Sequence, residues 1–411
     1  MTLMEKPDVI VLGRNYSTPL GIIRSLGKEG YHVDMLYITA GKDAVKIVEA
    51  SKYIRKTVIV SGREDEKVIK ALLEQKKDNG EKCVLFPSDD FSCLCIDRNR
   101  GILKEHFILP YTAENSISFY MDKTEQSRLA AEAGLKTAEE WVISLREDIV
   151  SIPEGIKYPC FVKPLVSAKG GKSELRKCGS RKELVDRLNK MQESSRDRSV
   201  LVQEYLNIIT EYTMDGVCKD QDILLPGIIK KNVIARHNRG VTLCGTMVKP
   251  DEIADSLPAI FRFLKSVRFT GMFDMEMLLT DKGLYFGELN MRFGGPSYAY
   301  TRCGVNLPTV TVRALCSNDE LPQENGMVFG RTFVNNKVAW EDYADAFLTG
   351  KGLNKLLDSC DFTLLSDEED PEPEKLFTEI QVPVYRKSEK RNIAKKHVKS
   401  LLSFVKAGKN E

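Results

Sequence analysis

The chain has 411 residues, 42% of them hydrophobic and 29% charged, with a net charge of +2. That length exceeds one ordinary core, so two or three subdomains are expected. A near-neutral balance gives no support to nucleic acid or another polyanion as partner. From about residue 8 to 112, short apolar runs alternate with helical patterns, the signature of parallel βαβ units and a Rossmann-like sheet. Strands are predicted at Val9–Leu12, His32–Ile38, Thr57–Val60 and Cys83–Phe86, with helices over Leu20–Glu29 and about Glu64–Lys77. Ligands of such sheets bind beyond the carboxyl ends of the strands. The loops there are Gly13–Thr18 and Pro87–Asp90, which makes Ser17, Ser88 and Asp89 candidate substrate contacts. Gly-x-Gly-x-x-Gly is absent, so a dinucleotide enzyme fits poorly.

Asp122 is placed to cap a helix over Lys123–Ala133, closed by Gly134. Next comes an apolar strand ending in a lysine, Pro159-Cys160-Phe161-Val162-Lys163-Pro164. A lysine there is costly unless it meets an anion. Ser167-Ala168-Lys169-Gly170-Gly171-Lys172-Ser173 follows, and the backbone N–H groups of such a turn can cradle phosphates, although it is not a Walker loop. Ser199–Leu206 reads as a strand running into a hinge, and about 210–249 as an antiparallel meander. In the meander, Arg236 or Lys230 is a candidate for a phosphate or an acceptor carboxylate. Pro250–Ser266 has amphipathic helical spacing.

The most informative segment is Gly271–Arg292. Two alternating strands flank Asp281-Lys282-Gly283, predicted as a three-residue turn. Glu276 then faces Glu288 and Asp274 faces Asn290, with Arg292 on the same face. Phe273, Met275, Met277, Leu279, Tyr285, Leu289 and Met291 fall on the apolar face. Facing carboxylates repel. A divalent cation would relieve them, and two carboxylates with an amide oxygen suit Mg²⁺ shared with phosphates. Whether Asp274 joins them is open. Gly294-Gly295-Pro296-Ser297 is predicted to open a helix whose N–H groups face an oxyanion or substrate carboxylate, and Asn306–Leu315 a further helix.

Glu-x11-Glu-x-Asn-x-Arg followed by Gly294-Gly295 resembles the metal hairpin of the ATP-grasp superfamily. The resemblance runs in consistent order over roughly 8–340. It implies an ATP-grasp fold (α+β in the ATP-binding lobes) preceded by a Rossmann-like α/β domain. The parts would be a pre-ATP-grasp domain over 1–113, linker helix and small lobe over 114–206, large lobe over 207–330 and an extension over 331–411. It also implies ATP- and Mg²⁺-dependent ligation of a small-molecule carboxylate to an amine through an acyl-phosphate. On this resemblance Lys123, Lys163 and the flap with Ser167, Lys169, Gly170 and Gly171 hold phosphates. Glu204, Tyr205, Leu206 and Asn207 form the adenine hinge, and Glu211 meets the ribose. Glu276, Glu288 and Asn290 hold metal, and Arg292 is catalytic. The acceptor, an amino acid or a cell-envelope precursor, would meet Ser17, Ser88, Asp89, Arg236, Gly294 and Gly295. A bicarbonate-activating enzyme like biotin carboxylase is the enzymatic alternative, and a non-catalytic ATP-binding protein the other. Such relatives are often homodimers, so the resemblance leaves a homodimer open, and nothing in the sequence tests it.

Toward the C-terminus a strand is predicted over Arg331–Val338 and a helix over Trp340–Leu348. An acidic loop spans Asp367–Glu374, and its Asp370-Pro371-Glu372-Pro373 resembles a stretch near the end of bacterial ATP-grasp carboligases. From Arg386 on, basic residues dominate, with Ile393, Val398, Leu401, Leu402 and Val405 near helical spacing. This tail is either a membrane-surface or partner helix, or one that packs on its own protein. The ten cysteines include no Cys-x-x-Cys, so neither zinc nor a disulfide framework is expected. With no apolar signal-peptide core at the start and no apolar run of membrane length, a cytoplasmic location is expected.

Overall fold

The computed structural model describes residues 6–39, 43–77, 80–111, 116–145, 152–164, 176–194, 199–237, 240–322 and 326–407. Its first sheet is parallel: β1 (Val9–Gly13), β2 (Val33–Thr39), β3 (Ile54–Ser61), β4 (Cys83–Pro87) and β5 (Phe107–Ile108), in the order β3-β2-β1-β4-β5. Strands β1 and β4 are buried along their length, which is why they read as unbroken apolar runs. Strand order reverses between them, so the loops after β1 and β4 flank the crevice where such sheets take ligands. The first helix starts at Ser17 rather than Leu20, because Asn15 Oδ1 accepts the Thr18 N–H at 3.2 Å.

A second, antiparallel sheet is built from β6 (Glu140–Ser144), β7 (Cys160–Pro164), β8 (Arg176–Cys178) and β9 (Ser199–Glu204), in the order β6-β9-β7-β8. The third sheet has eight strands: β10 (Ile208–Lys219), β11 (Asp222–Leu224), β12 (Ile228–Ile234), β13 (Thr242–Val248), β14 (Gly271–Thr280), β15 (Gly283–Asn290), β16 (Thr332–Val334) and β17 (Phe362–Thr363). They run β15-β14-β10-β12-β13-β16-β17, with β11 beside β10. One face of β10, β14 and β15 is apolar. Its Met214, Met275, Met277 and Leu289 share a core with Ile260, Phe263 and Leu264 of helix Leu257–Val267. Helix Lys123–Glu132 docks on the β15 edge through Gln126, which donates to Leu289 O at 2.7 Å and accepts Leu289 N–H at 2.9 Å.

The β14–β15 hairpin corrects the predicted turn. Thr280 pairs with Gly283, so the loop has two residues, and an extra residue, Gly287, bulges out between the Glu276–Glu288 and Met277–Phe286 pairs. The two changes cancel. Glu276 faces Glu288 and Asp274 faces Asn290, as the alternation predicts. Beyond the bulge the parity is inverted. Tyr285 pairs with Leu278 on the polar face, and Phe286 takes the core place expected for Tyr285. A Cβ at 287 would stand 2.8 Å from Glu276 O, so the bulge requires glycine.

The structure also refines the reading past the hairpin. The strand expected over Arg331–Val338 stops at Val334, because Asn335 caps a helix over Asn336–Ala344. Gly294-Gly295-Pro296-Ser297 leads into Tyr298–Arg302 only, a helix too short to present a useful dipole. The acidic stretch faces the interior of the molecule. Arg24, fully buried, donates to Asp370 Oδ2 at 2.9 Å, to Leu365 O at 2.8 Å and to Asp370 O at 2.7 Å. Ser51 Oγ and the Lys52 N–H complete Asp370 at 2.7 and 2.9 Å. Lys28 meets Asp367 at 3.0 Å. This clasp fastens the C-terminal extension to the parallel-sheet domain. The last helix starts at Glu372, well before Arg386, and runs to Ala407. Phe377 and Val382 of that helix join the core of β1 and the first helix, while Arg386, Lys387, Lys390, Arg391 and Lys395 are exposed. Among the described residues no helix is long and apolar enough to cross a membrane.

Candidate active site

Alternation along three neighbouring strands builds one polar face. β10 contributes Glu211, Thr213 and Asp215, and its partners on β14 are Leu278, Glu276 and Asp274. β15 adds Glu288 and Asn290. Glu276 and Glu288 are half-buried and directly opposed. Lys231 of β12 lies between Glu276 and Glu211, with Nζ 2.9 Å from each carboxylate and 2.8 Å from Gly240 O. Glu288 has Lys123 Nζ at 3.6 Å. Burial pushes the Glu276 carboxyl up, against the pull of Lys231 and with the push of Glu288. Burial acts the same way on Glu288, but Lys123 and then Arg292 overcome it and hold that carboxyl low.

Asn290 spends amide N–H groups on Asp274 at 3.2 Å and Glu288 at 3.3 Å, so its carbonyl oxygen is the end suited to a hard cation. Among the described residues no cluster of three or more His, Cys, Asp or Glu could hold a metal by itself. Two opposed carboxylates and one amide oxygen do fit Mg²⁺ when phosphate oxygens complete the shell. Asp274 is committed elsewhere: it accepts from Thr213 Oγ1 at 2.6 Å and from Arg292 at 3.2 Å.

Cations gather beside this pair. Helix Lys123–Glu132 begins one turn before Gln126, which puts Lys123 next to Glu288. Lys163, at the end of β7, donates to Gln203 Oε1 at 3.0 Å. Burial, and then the nearby Lys123 ammonium, lower the Lys163 pKa to about 8. Two ammonium groups held this close are unfavourable until an anion joins them. Arg292 spans the crevice. Its Nε donates to Asp90 Oδ1 at 2.7 Å, at the carboxyl end of β4, and its Nη1 to Asp274.

The segment expected as the hinge leaves β9 with two backbone amides engaged, Glu204 N–H on Glu139 O at 2.9 Å and Tyr205 N–H on Pro159 O at 3.3 Å. Leu206 and Asn207 continue it to β10. Lys177 Nζ lies 3.8 Å from the Tyr205 ring centroid, and Lys282 in the hairpin turn reaches Glu204 at 3.4 Å.

The chain is 24% identical over 204 residues to the C-terminal section of the carbamoyl phosphate synthase large chain of Methanocaldococcus jannaschii, covering 49% of this chain and 32% of that one. It is 23% identical over 276 residues to formate-dependent phosphoribosylglycinamide formyltransferase of Prochlorococcus marinus, covering 63% and 69%. It superposes on N5-carboxyaminoimidazole synthetase of Staphylococcus aureus complexed with ADP with a TM-score of 0.62, at 17% identity over 85% of this chain and 86% of that one. This is an ATP-grasp fold. No family model matches the chain, and it spans about a third of the first relative's length.

Within the ATP-grasp frame, Lys123, Glu211, Glu276, Glu288, Asn290 and Arg292 share one neighbourhood, with Lys163 coupled to it through Lys123. Ser167, Lys169, Gly170 and Gly171 lie outside the described residues. Ser88 fastens a loop by donating to Leu12 O at 2.7 Å. Asp89 caps helix Asp90–Arg98 and accepts from Arg14 at 3.1 Å. Ser17 donates to Asn15 at 3.3 Å, and with Gly295 it lines a small cavity alongside Tyr16, Asn336 and Lys337. Gly294 gives its N–H to Asp215 at 2.6 Å. Arg236 is exposed, and Lys230 pairs with Glu252 at the surface at 3.2 Å.

Lys231, Asp90 and Asp215 are the members of this neighbourhood that the sequence reading missed. The alternation Glu211-x-Thr213-x-Asp215 carried the signal for Asp215. Burial, with Asp274 beside it, pushes the Asp215 carboxyl well above the ordinary range.

Proposed function

We propose that the protein is an ATP- and Mg²⁺-dependent ligase that joins a small-molecule carboxylate to an amine through an acyl-phosphate. One observation carries the reading: two neighbouring lysines, Lys123 and Lys163, stand beside two opposed carboxylates, Glu276 and Glu288. Lysine repels lysine and carboxylate repels carboxylate across the pairs Lys123–Glu288 and Lys231–Glu276, and magnesium nucleotide would relieve both repulsions. Bound magnesium would be held by Glu276, Glu288 and Asn290 and would neutralise the phosphates. Lys123 and Lys163 would hold the phosphate chain in the geometry that phosphoryl transfer needs. Glu211, 2.9 Å from Lys231 Nζ, would be the acceptor for the ribose hydroxyls. Arg292, braced by Asp90 and Asp274, is preorganised to offset charge developing as the carboxylate is phosphorylated and the amine then attacks. The amine pocket is placed at the crevice between β1 and β4, where Arg14, Asp89 and Asp90 give an amino acid opposite charges to meet. The lobes would divide at the hinge, 114–206 from 207–330.

The test is phosphate release from MgATP with pooled amino acids and other carboxylates as substrates, followed by mass detection of an amide. An amide formed in step with phosphate supports the ligase. Tight MgATP binding with no release under any acceptor overturns it in favour of a non-catalytic nucleotide-binding protein.

A further inference from the structure

The described flanks of the β12–β13 turn, Ala235–His237 and Gly240–Val241, reach the nucleotide face on one side and the C-terminal extension on the other. On the inner side, Gly240 O takes one N–H of the Lys231 ammonium at 2.8 Å, and Glu211 and Glu276 take the other two at 2.9 Å each. That side chain is 1% exposed, so the ammonium has no water to fall back on. On the outer side, Asp342 of helix Asn336–Ala344 holds the turn. Its two oxygens accept the Arg236 N–H at 3.1 and 2.9 Å, and one also accepts the His237 N–H at 2.7 Å. Asp345 then meets the His237 ring at 2.6 Å, and the Ala235 N–H closes on Val241 O at 3.0 Å.

We propose that Asp342 is a positioning residue for the nucleotide site, acting through this turn and Lys231 on Glu211 and Glu276. The inference rests on the function proposed above. Charge-assisted bonds from a buried carboxylate to consecutive backbone N–H groups fix a turn firmly. Here the fixed turn supplies the third partner of an ammonium that two site carboxylates share. Without Asp342 the flanks joined by the Ala235 N–H and Val241 O are released, Gly240 O leaves Lys231, and Glu211 and Glu276 hold the ammonium alone. Glu276 is then less available to magnesium and Glu211 less available to the ribose. A residue more than a hundred positions from Arg236 in sequence would thus set the charge balance of the hairpin, and the C-terminal extension would be part of the site rather than an appendage.

The experiment is a double-mutant cycle read by calorimetric titration with ADP and magnesium. Asp342→Ala should weaken MgADP binding at least about tenfold, the scale of losing an outer-shell partner. Asp342→Asn, which keeps one acceptor oxygen, should lie between it and the unchanged protein and serves if the alanine variant fails to fold. Lys231→Met should be impaired on its own, and adding either Asp342 substitution should cost no more, because both act through the same ammonium. Additive losses would overturn the proposal. So would unchanged MgADP binding in Asp342→Ala with a lower melting temperature, which would leave Asp342 as a fastener of the fold. No MgADP uptake by the unaltered protein would sink the functional reading itself, and this inference with it.

Discussion

Two of the places where the described residues bury charge are built to opposite rules. In the clasp, Arg24 has every guanidinium nitrogen engaged, and Asp370 has matching donors from Arg24, Ser51 and Lys52. Nothing there waits for a partner. In the hairpin site, like charges are adjacent: Glu276 faces Glu288, and Lys123 lies close enough to Lys163 to depress its pKa. A satisfied cluster holds the fold, whereas on the proposed function the opposed carboxylates and adjacent lysines await a ligand that completes them. Removing a charge should therefore have opposite consequences at the two places.

The largest effect expected on activity is at the hairpin. Glu276→Gln should remove MgATP turnover, a loss of several kcal/mol in transition-state stabilisation, while the protein without nucleotide melts no lower than before, because burial already raises that carboxyl's pKa to about 7. Phosphate release and a thermal melt measured side by side check both halves. Full turnover in the variant, or a large drop in melting temperature, would break the contrast. In the clasp, Arg24→Ala strands Asp370 in the interior and should cost about 3–5 kcal/mol of stability, read by denaturant unfolding. A shift below about 1 kcal/mol would mean that the clasp is no more than a surface contact. Between these lies Gln126→Leu, which leaves the Leu289 N–H and C=O without their side-chain partner. It should cost about 1–3 kcal/mol and weaken nucleotide binding as well, because the same helix carries Lys123.

The two regions also differ in how far the sequence discloses them. The hairpin was legible because its strands are consecutive and alternation alone sorts Asp274, Glu276, Glu288 and Asn290 from the core. Even there a predicted three-residue turn and an unforeseen bulge at Gly287 cancelled, and the one visible trace is Tyr285 exchanged with Phe286. Lys231 was harder. It sits beside Lys230, and the ladder with β13 shifts register between Lys231 and Val233, so alternation gives no hint of which lysine turns inward. That the first sheet is parallel followed from its apolar runs. The clasp did not, since Arg24 and Asp370 meet from opposite ends of the chain and an Asp-Pro-Glu-Pro stretch reads locally as a solvated loop. Short-range pattern reveals strands and the faces they present. Long-range ion pairs leave no pattern to find.

The smallest effect expected is also the one that separates frustration from mere burial, and it is a pH dependence. Lys163 has a pKa lowered to about 8 by burial and by Lys123, while an unfolded lysine titrates near the usual value of about 10.4. Between those values the unfolded chain binds more protons than the folded one, so the stability of the nucleotide-free protein should rise with pH through that window. Nucleotide binding should move the other way. Phosphate recruits the charged form, so MgADP affinity should fall several-fold for each pH unit once pH passes about 8. Arginine at this position stays charged throughout the range, and Lys163→Arg should flatten both curves together. A group that was simply buried, with no anion to receive, would show the stability slope alone. Opposite slopes in the unaltered protein, both lost in Lys163→Arg, are what a lysine held uncomfortable for an absent phosphate requires.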